Sequence, residues 1–147
     1  MRVPRVFAAR MERIADARDF VAAFGRDNGI ADDDVLRMEL VVEELFTNTV
    51  QHGYGRECDE PIRIALDMRG GIVTIRYEDA AHACDPLATL EESRAALSAP
   101  VEAREPRGLG VPLIAGLTDE ARYSFEAGRN CLRLSMRVML QTPCAVS

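Results

Sequence analysis

The sequence predicts an α/β two-layer sandwich: a mixed, mostly antiparallel sheet with helices on one face. Three observations carry that prediction. Two stretches near the N-terminus place apolar residues at helical spacing and follow one another closely. Two later segments alternate apolar and polar residues around glycine turns, as hairpins do. The resulting order, β-α-α-β-β-(α)-α-β-β, leaves one sheet whose apolar face the helices must cover.

Val3 to Ala9 reads as a short first strand. From Arg13 to Asn28 the spacing of Ile14, Ala17, Val21, Ala22 and Phe24 predicts a helix, with Gly29 as its stop. The acidic run after Ala31 supplies an N-cap to a second helix, from about Asp33 to His52. Its stripe is Val35, Met38, Val42, Leu45 and Thr49, widened by Leu36, Leu40 and Val50, and Gly53 and Gly55 end it. Pro61 to Met68 alternates through Ile62, Ile64 and Leu66, and Val73 to Tyr77 alternates again after Gly70-Gly71, which predicts a hairpin. A short helix over 87–97, a loose lid over about 98–110 with two prolines, and a helix from Gly110 to Leu117 follow. Ala121 to Glu126 and Cys131 to Leu140 form a second hairpin around Gly128-Arg129-Asn130.

At 147 residues and 48% apolar content, the chain fits one domain, residues 1–147, with a core of its own. A net charge of −6 argues against coating DNA or RNA, so no direct nucleic-acid partner is expected. Every basic residue is an arginine, which excludes a Walker A lysine and Schiff-base lysine chemistry. Cys58, Cys84, Cys131 and Cys144 show neither CxxC spacing nor a histidine at zinc-finger distance, and read as free thiols in a reducing cytoplasm. The N-terminus is broken by Pro4 and by charges, and no stretch reaches the length of a membrane span, so the expected location is cytoplasmic with no membrane partner.

Three stretches carry candidate chemistry. In EELFTNTVQHG, residues 43–53, Glu44 and Asn48 are four apart on the predicted helix, separated by about 40° around its axis, so their polar ends converge. A solvent-facing polar stripe accounts for such a pair taken alone. His52, near the helix end, suits the dipole and reads as structural. In Arg107-Gly-Leu-Gly-Val-Pro, two glycines precede an apolar helix, where backbone N–H groups and the helix N-terminus favour an anion; a plain loop explains the same residues. In Tyr77-Glu-Asp79-Ala-Ala-His-Ala-Cys, a strand ends in an acid able to accept a hydrogen bond from a base edge, or to form a turn.

In this order the three stretches resemble the GHKL ATPase family, and more narrowly its small anti-sigma-factor serine/threonine kinases. The likeness runs through almost the whole chain. Glu44-Leu-Phe-Thr-Asn48, continuing to Gln51-His52-Gly53-Tyr54, corresponds to the N box, Asp79 to the adenine-contacting acid and Gly108-Leu109-Gly110 to the phosphate loop. Leu117-Thr-Asp-Glu120 and Gly128-Arg-Asn130 also look like this subfamily.

The resemblance implies the Bergerat ATP-binding fold with ATP and Mg²⁺ as cofactors. Asn48 would ligate the Mg²⁺ and Glu44 would orient or deprotonate the hydroxyl of a protein serine or threonine. Asp79 would take the adenine amino group, Gly108 and Gly110 would line the phosphates with Leu109 between them, and Arg107 would add positive charge. The implied partners are a sigma factor, an anti-anti-sigma antagonist protein, or both, and small members of the family often form homodimers. Members usually carry glycine where this chain has Ala81. If that position required φ > 0, alanine would cost about 1–2 kcal/mol, roughly a tenfold loss of nucleotide affinity. A protein-binding regulator of the same fold, with weak or no kinase activity, is the alternative reading.

Overall fold

A computed structural model of the chain describes residues 3–84, 114 and 116–141. Strand β1 (Arg5–Ala8) leads through a 3₁₀ turn into helix α1 (Ile14–Asp27), then α2 (Asp32–Asn48), a π turn (Thr49–Gly53), and strands β2 (Pro61–Arg69), β3 (Ile72–Asp79), β4 (Glu120–Glu126) and β5 (Arg129–Arg137). The five strands lie in the order β1-β2-β3-β5-β4. All four pairings are antiparallel, so the expected sheet is right but contains no parallel ladder among the described residues.

Strict alternation along β3 sets the two faces. Val73, Ile75, Tyr77 and Asp79 are buried, while Ile72, Thr74, Arg76 and Glu78 are not. Ile62, Ile64 and Leu66 of β2 and Leu132, Leu134 and Met136 of β5 share the buried face. Against it pack Ala17, Val21 and Phe24 of α1 and Met38, Val41, Val42, Leu45 and Phe46 of α2. Phe7 of β1 meets Phe46 edge to face, with ring centroids 6.4 Å apart, which ties the edge strand to the helix layer.

Local chemistry moves several boundaries. Asp32, Asp33 and Asp34 fill the first turn of α2, where their charge suits the dipole, yet no side chain caps the helix. Asp34 Oδ2 instead accepts from Met139 N at 2.6 Å, and Asp32 Oδ1 from Gln141 Nε2 at 3.0 Å. The acidic run therefore fastens the segment after β5 to the start of α2.

The first hairpin turns on Gly70 and Gly71, both at positive φ (55° and 77°), as a two-residue turn between Arg69 and Ile72 requires. The second turns on Ala127 and Gly128, with φ of 52° and 75°, not around Gly128-Arg129-Asn130. Arg129 already pairs with Glu126, so Asn130 belongs to β5 and faces Asp79 of β3.

The expected helix over 87–97 and the lid over about 98–110 lie outside the described residues, as does Cys144. The end of the expected helix to Leu117 is seen in the bond from Thr118 N to Ile114 O, 3.1 Å. Cys58, Cys84 and Cys131 are free thiols. No helix among the described residues is long and apolar enough to cross a membrane.

Candidate functional site

Among the described residues two polar side chains are buried, Thr49 and Asp79, and they touch: Thr49 Oγ1 lies 2.9 Å from Asp79 Oδ2. A buried carboxylate is costly unless its oxygens are hydrogen-bonded. Asp79 meets that demand with the Thr49 hydroxyl on Oδ2, and with Asn130 Nδ2 at 2.8 Å and Ala81 N at 3.2 Å on Oδ1. A carboxylate has about four acceptor positions, so one direction on Oδ2 stays available for a further donor.

The network extends beneath the acid. Tyr77 Oη lies 2.6 Å from Thr49 Oγ1 and 3.0 Å from the Leu45 carbonyl oxygen, so two hydroxyl protons serve three contacts. Burial pushes the Tyr77 phenol well above the ordinary tyrosine range, and the nearby Asp79 charge adds to the shift, while the Thr49 hydrogen bond opposes it. Tyr77 therefore stays neutral and supports the threonine that holds the acid.

The end of α2 is reshaped to reach this point. After Asn48 the helix widens into a π turn closed by Tyr54 N on Thr49 O at 2.8 Å. Such insertions recur at functional sites because they redirect side chains within a helix. Tyr54 then donates to Pro61 O at 2.9 Å and accepts from Ala80 N at 2.8 Å, joining the helix end to β2 and to the loop after β3. Burial, the larger effect, raises the Tyr54 phenol, keeping it a neutral donor.

Asn130 holds the loop from the other side. Its Nδ2 reaches Asp79 Oδ1, Ala81 O and His82 O, and its Oδ1 accepts from Cys84 N at 3.1 Å and from the Tyr123 hydroxyl. These contacts enclose a cavity of about 200 Å³, largely apolar, into which Asn48, Asp79, Ala81 and Asn130 all face.

The structure thus brings Asn48, Asp79 and Ala81 together. Glu44 lies one turn before Asn48, half-buried, and is not part of the cavity wall formed by the described residues. Arg107, Gly108, Leu109 and Gly110 lie outside the described residues. His52, read as structural, is exposed and lines the cavity beside Asn48.

Ala81 does not have positive φ; Ala127 is the one non-glycine residue among those described that does. The strain penalty attached to alanine at this position therefore does not arise. The Ala81 methyl is instead accommodated by Gly53: a Cβ placed on Gly53 would lie 3.2 Å from the Ala81 Cβ.

Thr49, Tyr77, Tyr54 and Asn130 fall within the patterns and motifs of the sequence, but nothing in those patterns assigns them a role at the site. Thr49 was absorbed into an apolar stripe and Tyr77 into a strand alternation. A hydroxyl on a buried stripe, one residue after a candidate ligand, was the available signal.

The family profile of the histidine kinase-like ATPase domain matches residues 7–136. The anti-sigma F factor of Geobacillus thermodenitrificans (strain NG80-2) is 28% identical over 123 residues, covering 84% of this chain and 82% of that protein. That of Bacillus subtilis (strain 168) is 28% identical over 116 residues, covering 78% and 76%. Two solved structures share the fold. The SiaB-SiaC complex from Pseudomonas aeruginosa gives a TM-score of 0.65 at 14% identity, covering 92% of this chain and 90% of that one. The RsbU and RsbW domains of Rv1364c from Mycobacterium tuberculosis give 0.62 at 19%, covering 92% of this chain but 32% of that longer one. With the profile running from within β1 almost to the end of β5, and a buried acid poised at the end of the second hairpin strand, the chain belongs to the histidine kinase-like ATPase domain family, whose ligand is ATP.

Proposed function

We propose that this chain is an anti-sigma-type regulator that binds Mg²⁺-ATP and phosphorylates a serine or threonine on a small antagonist protein. The observation that carries it is the buried Asp79-Thr49-Tyr77 network flooring a cavity whose rim bears Asn48, on the helix that also bears Glu44. The anti-sigma F factors matched over more than three quarters of the chain support the regulatory reading and its partners, a sigma factor and an anti-anti-sigma protein. In this reading the chain acts in the cytoplasm, as one regulatory domain.

In this reading Asp79 accepts the adenine amino group through the open position on Oδ2. Leu45, Ala81 and Leu132 exclude water from the base. Asn48 is exposed, and its amide oxygen suits a hard cation that keeps most of its shell as water and phosphate oxygen. Bound there, Mg²⁺ supplies charge neutralisation for the phosphates. Glu44 takes the proton of the acceptor hydroxyl as its oxygen bonds to the γ-phosphorus and the bond to the bridging oxygen breaks, releasing ADP. Arg107 and Gly108-Leu109-Gly110 are proposed to complete the phosphate side.

Calorimetry with ATP, with and without Mg²⁺, tests the binding half of the proposal. Heat at millimolar nucleotide or below is expected, and its absence sinks the nucleotide reading. The second reading, a regulator without turnover, draws on Glu44 standing outside the cavity wall formed by the described residues. It predicts ATP binding and partner capture with no transfer to any acceptor. A homodimer through the edge strand β1, where Val6 is 55% exposed, is also proposed; a monomer in sedimentation at tens of micromolar removes it.

A further inference from the structure

The face of the sheet turned away from α1 and α2 carries a row of like charges that the nucleotide site does not use. Arg76 of β3 pairs in register with Arg133 of β5, which pairs in register with Arg122 of β4. Like charges directly opposite one another on a sheet oppose its stability. Arg76 is balanced by Glu78 at 2.9 Å, but neither Arg133 nor Arg122, both exposed, joins an ion pair among the described residues. The adjoining row runs Asp67, Thr74, Ser135 and Glu120, two small side chains between two acids, and depressions of about 430 and 220 Å³ open on either side of the small pair. Arg133 and Thr74 border both.

We propose that this face docks a helix of a protein partner that presents carboxylates along one side. Neighbouring strands lie about 4.7–4.9 Å apart, so the three guanidinium stems rise at roughly that interval. Carboxylates three or four residues apart on a helix are spaced by about 5–6 Å, close enough to meet successive arginines. Arg133 and Arg122 each offer a planar fork matched to a carboxylate, Arg76 being held by Glu78, and the shallow Thr74-Ser135 pair seats the helix body beside them.

Charge decides against the other occupants. A nucleic acid would present phosphate to the whole face, including Asp67 and Glu120 at the ends of the Thr74-Ser135 row, whereas a helix can confine its carboxylates to the arginine side. A second copy meeting this face with its own would set arginine against arginine, since a two-fold interface repeats the same patch. The proposal is independent of whether the ATP site transfers phosphate.

The test uses the full chain and three probes: a synthetic helical peptide with glutamates at every fourth position, the same peptide with glutamines, and a duplex oligonucleotide. Fluorescence anisotropy should detect the glutamate peptide, with affinity falling as salt rises. The glutamine peptide should bind about tenfold or more weakly, and Arg122→Ser/Arg133→Ser should lose a similar factor, about 1.4 kcal/mol per decade. Both arginines are exposed, so unchanged melting and ATP binding in the double variant serve as its folding control. Equal binding of both peptides, equal binding to the double variant, or preference for the oligonucleotide would each overturn the proposal. A salt-sensitive dimer abolished by the double variant would overturn it in favour of a second copy.

Discussion

The end of the cavity proposed for the base and the end proposed for the phosphates are built differently. At the base end Asp79 is 7% exposed and accepts three hydrogen bonds, each from a group that is itself held by another. At the phosphate end Asn48 is exposed and makes no side-chain hydrogen bond among the described residues. The first end is settled by folding alone, because a buried carboxylate must be satisfied before any ligand arrives. The second keeps its polar group free, so that its interactions form only with the ligand. Substitutions at the base end should therefore register in stability, and those at the phosphate end in activity and metal dependence.

The largest expected effect lies at the phosphate end. Glu44→Gln should leave ATP affinity within a few-fold while cutting phosphoryl transfer to the acceptor protein by about 10²–10⁴, the range for a lost general base. Radiolabel transfer under single-turnover conditions measures it. Unchanged transfer refutes the assigned role of Glu44 even in an active kinase.

Asn48→Ala comes next. ATP affinity in the presence of Mg²⁺ should fall to the level seen without it, with melting temperature almost unchanged because the side chain is exposed. Calorimetry with and without metal gives the answer. A large loss of stability instead would place Asn48 in the folded framework and erase the contrast between the two ends.

Tyr77→Phe tests the base end. Removing the phenol leaves Thr49 with one partner fewer and the Leu45 carbonyl without this donor, at a cost of about 1–3 kcal/mol in denaturant midpoints. The pH dependence has a definite sign. The folded pKa of Tyr77 is raised, so its contribution is complete below the unfolded tyrosine pKa of about 10 and declines as pH rises beyond it toward the folded value. Wild type should lose stability above about pH 10 more steeply than Tyr77→Phe. Parallel slopes would show that burial of Tyr77 does not control the alkaline limb.

The difference between the ends also explains what was legible in the sequence. Asn48 and Asp79 stand out in a linear reading because each sits at the end of a strongly patterned element. Thr49 and Tyr77 occupy core positions of those same patterns, and their hydroxyls acquire meaning only when α2 is laid across β3. Asn130 depended on one turn. A bend at Ala127-Gly128, not over Gly128-Arg129-Asn130, moves it from a loop into the strand, opposite Asp79. The π turn left no trace in apolar periodicity, since widening after Asn48 keeps Thr49 and Val50 buried. The strand alternation, by contrast, was readable, because β3 buries one side only and β2 departs from that pattern at Ala65 alone.

The smallest expected effect concerns the contact between the two ends, where Gly53 of the π turn faces the Ala81 methyl. Gly53 is not at positive φ, so alanine is conformationally allowed there and gains from a stiffer unfolded chain. Its methyl, however, would stand 3.2 Å from the Ala81 Cβ, closer than ordinary contact, and 3.9 Å from Asp79 Oδ2. The loop carrying Ala81 must give way, and it is held by the same Asn130 that orients Asp79. Gly53→Ala should thus leave melting nearly unchanged, the two effects offsetting, while weakening ATP by about 1 kcal/mol, roughly fivefold. Adding Ala81→Gly removes the crowding, and the double variant should bind ATP within about twofold of wild type, a coupling that contact residues show and distant ones do not. Additive losses in the two single variants would mean that glycine and alanine act separately here, and that the alanine in this chain is not matched by the glycine it faces.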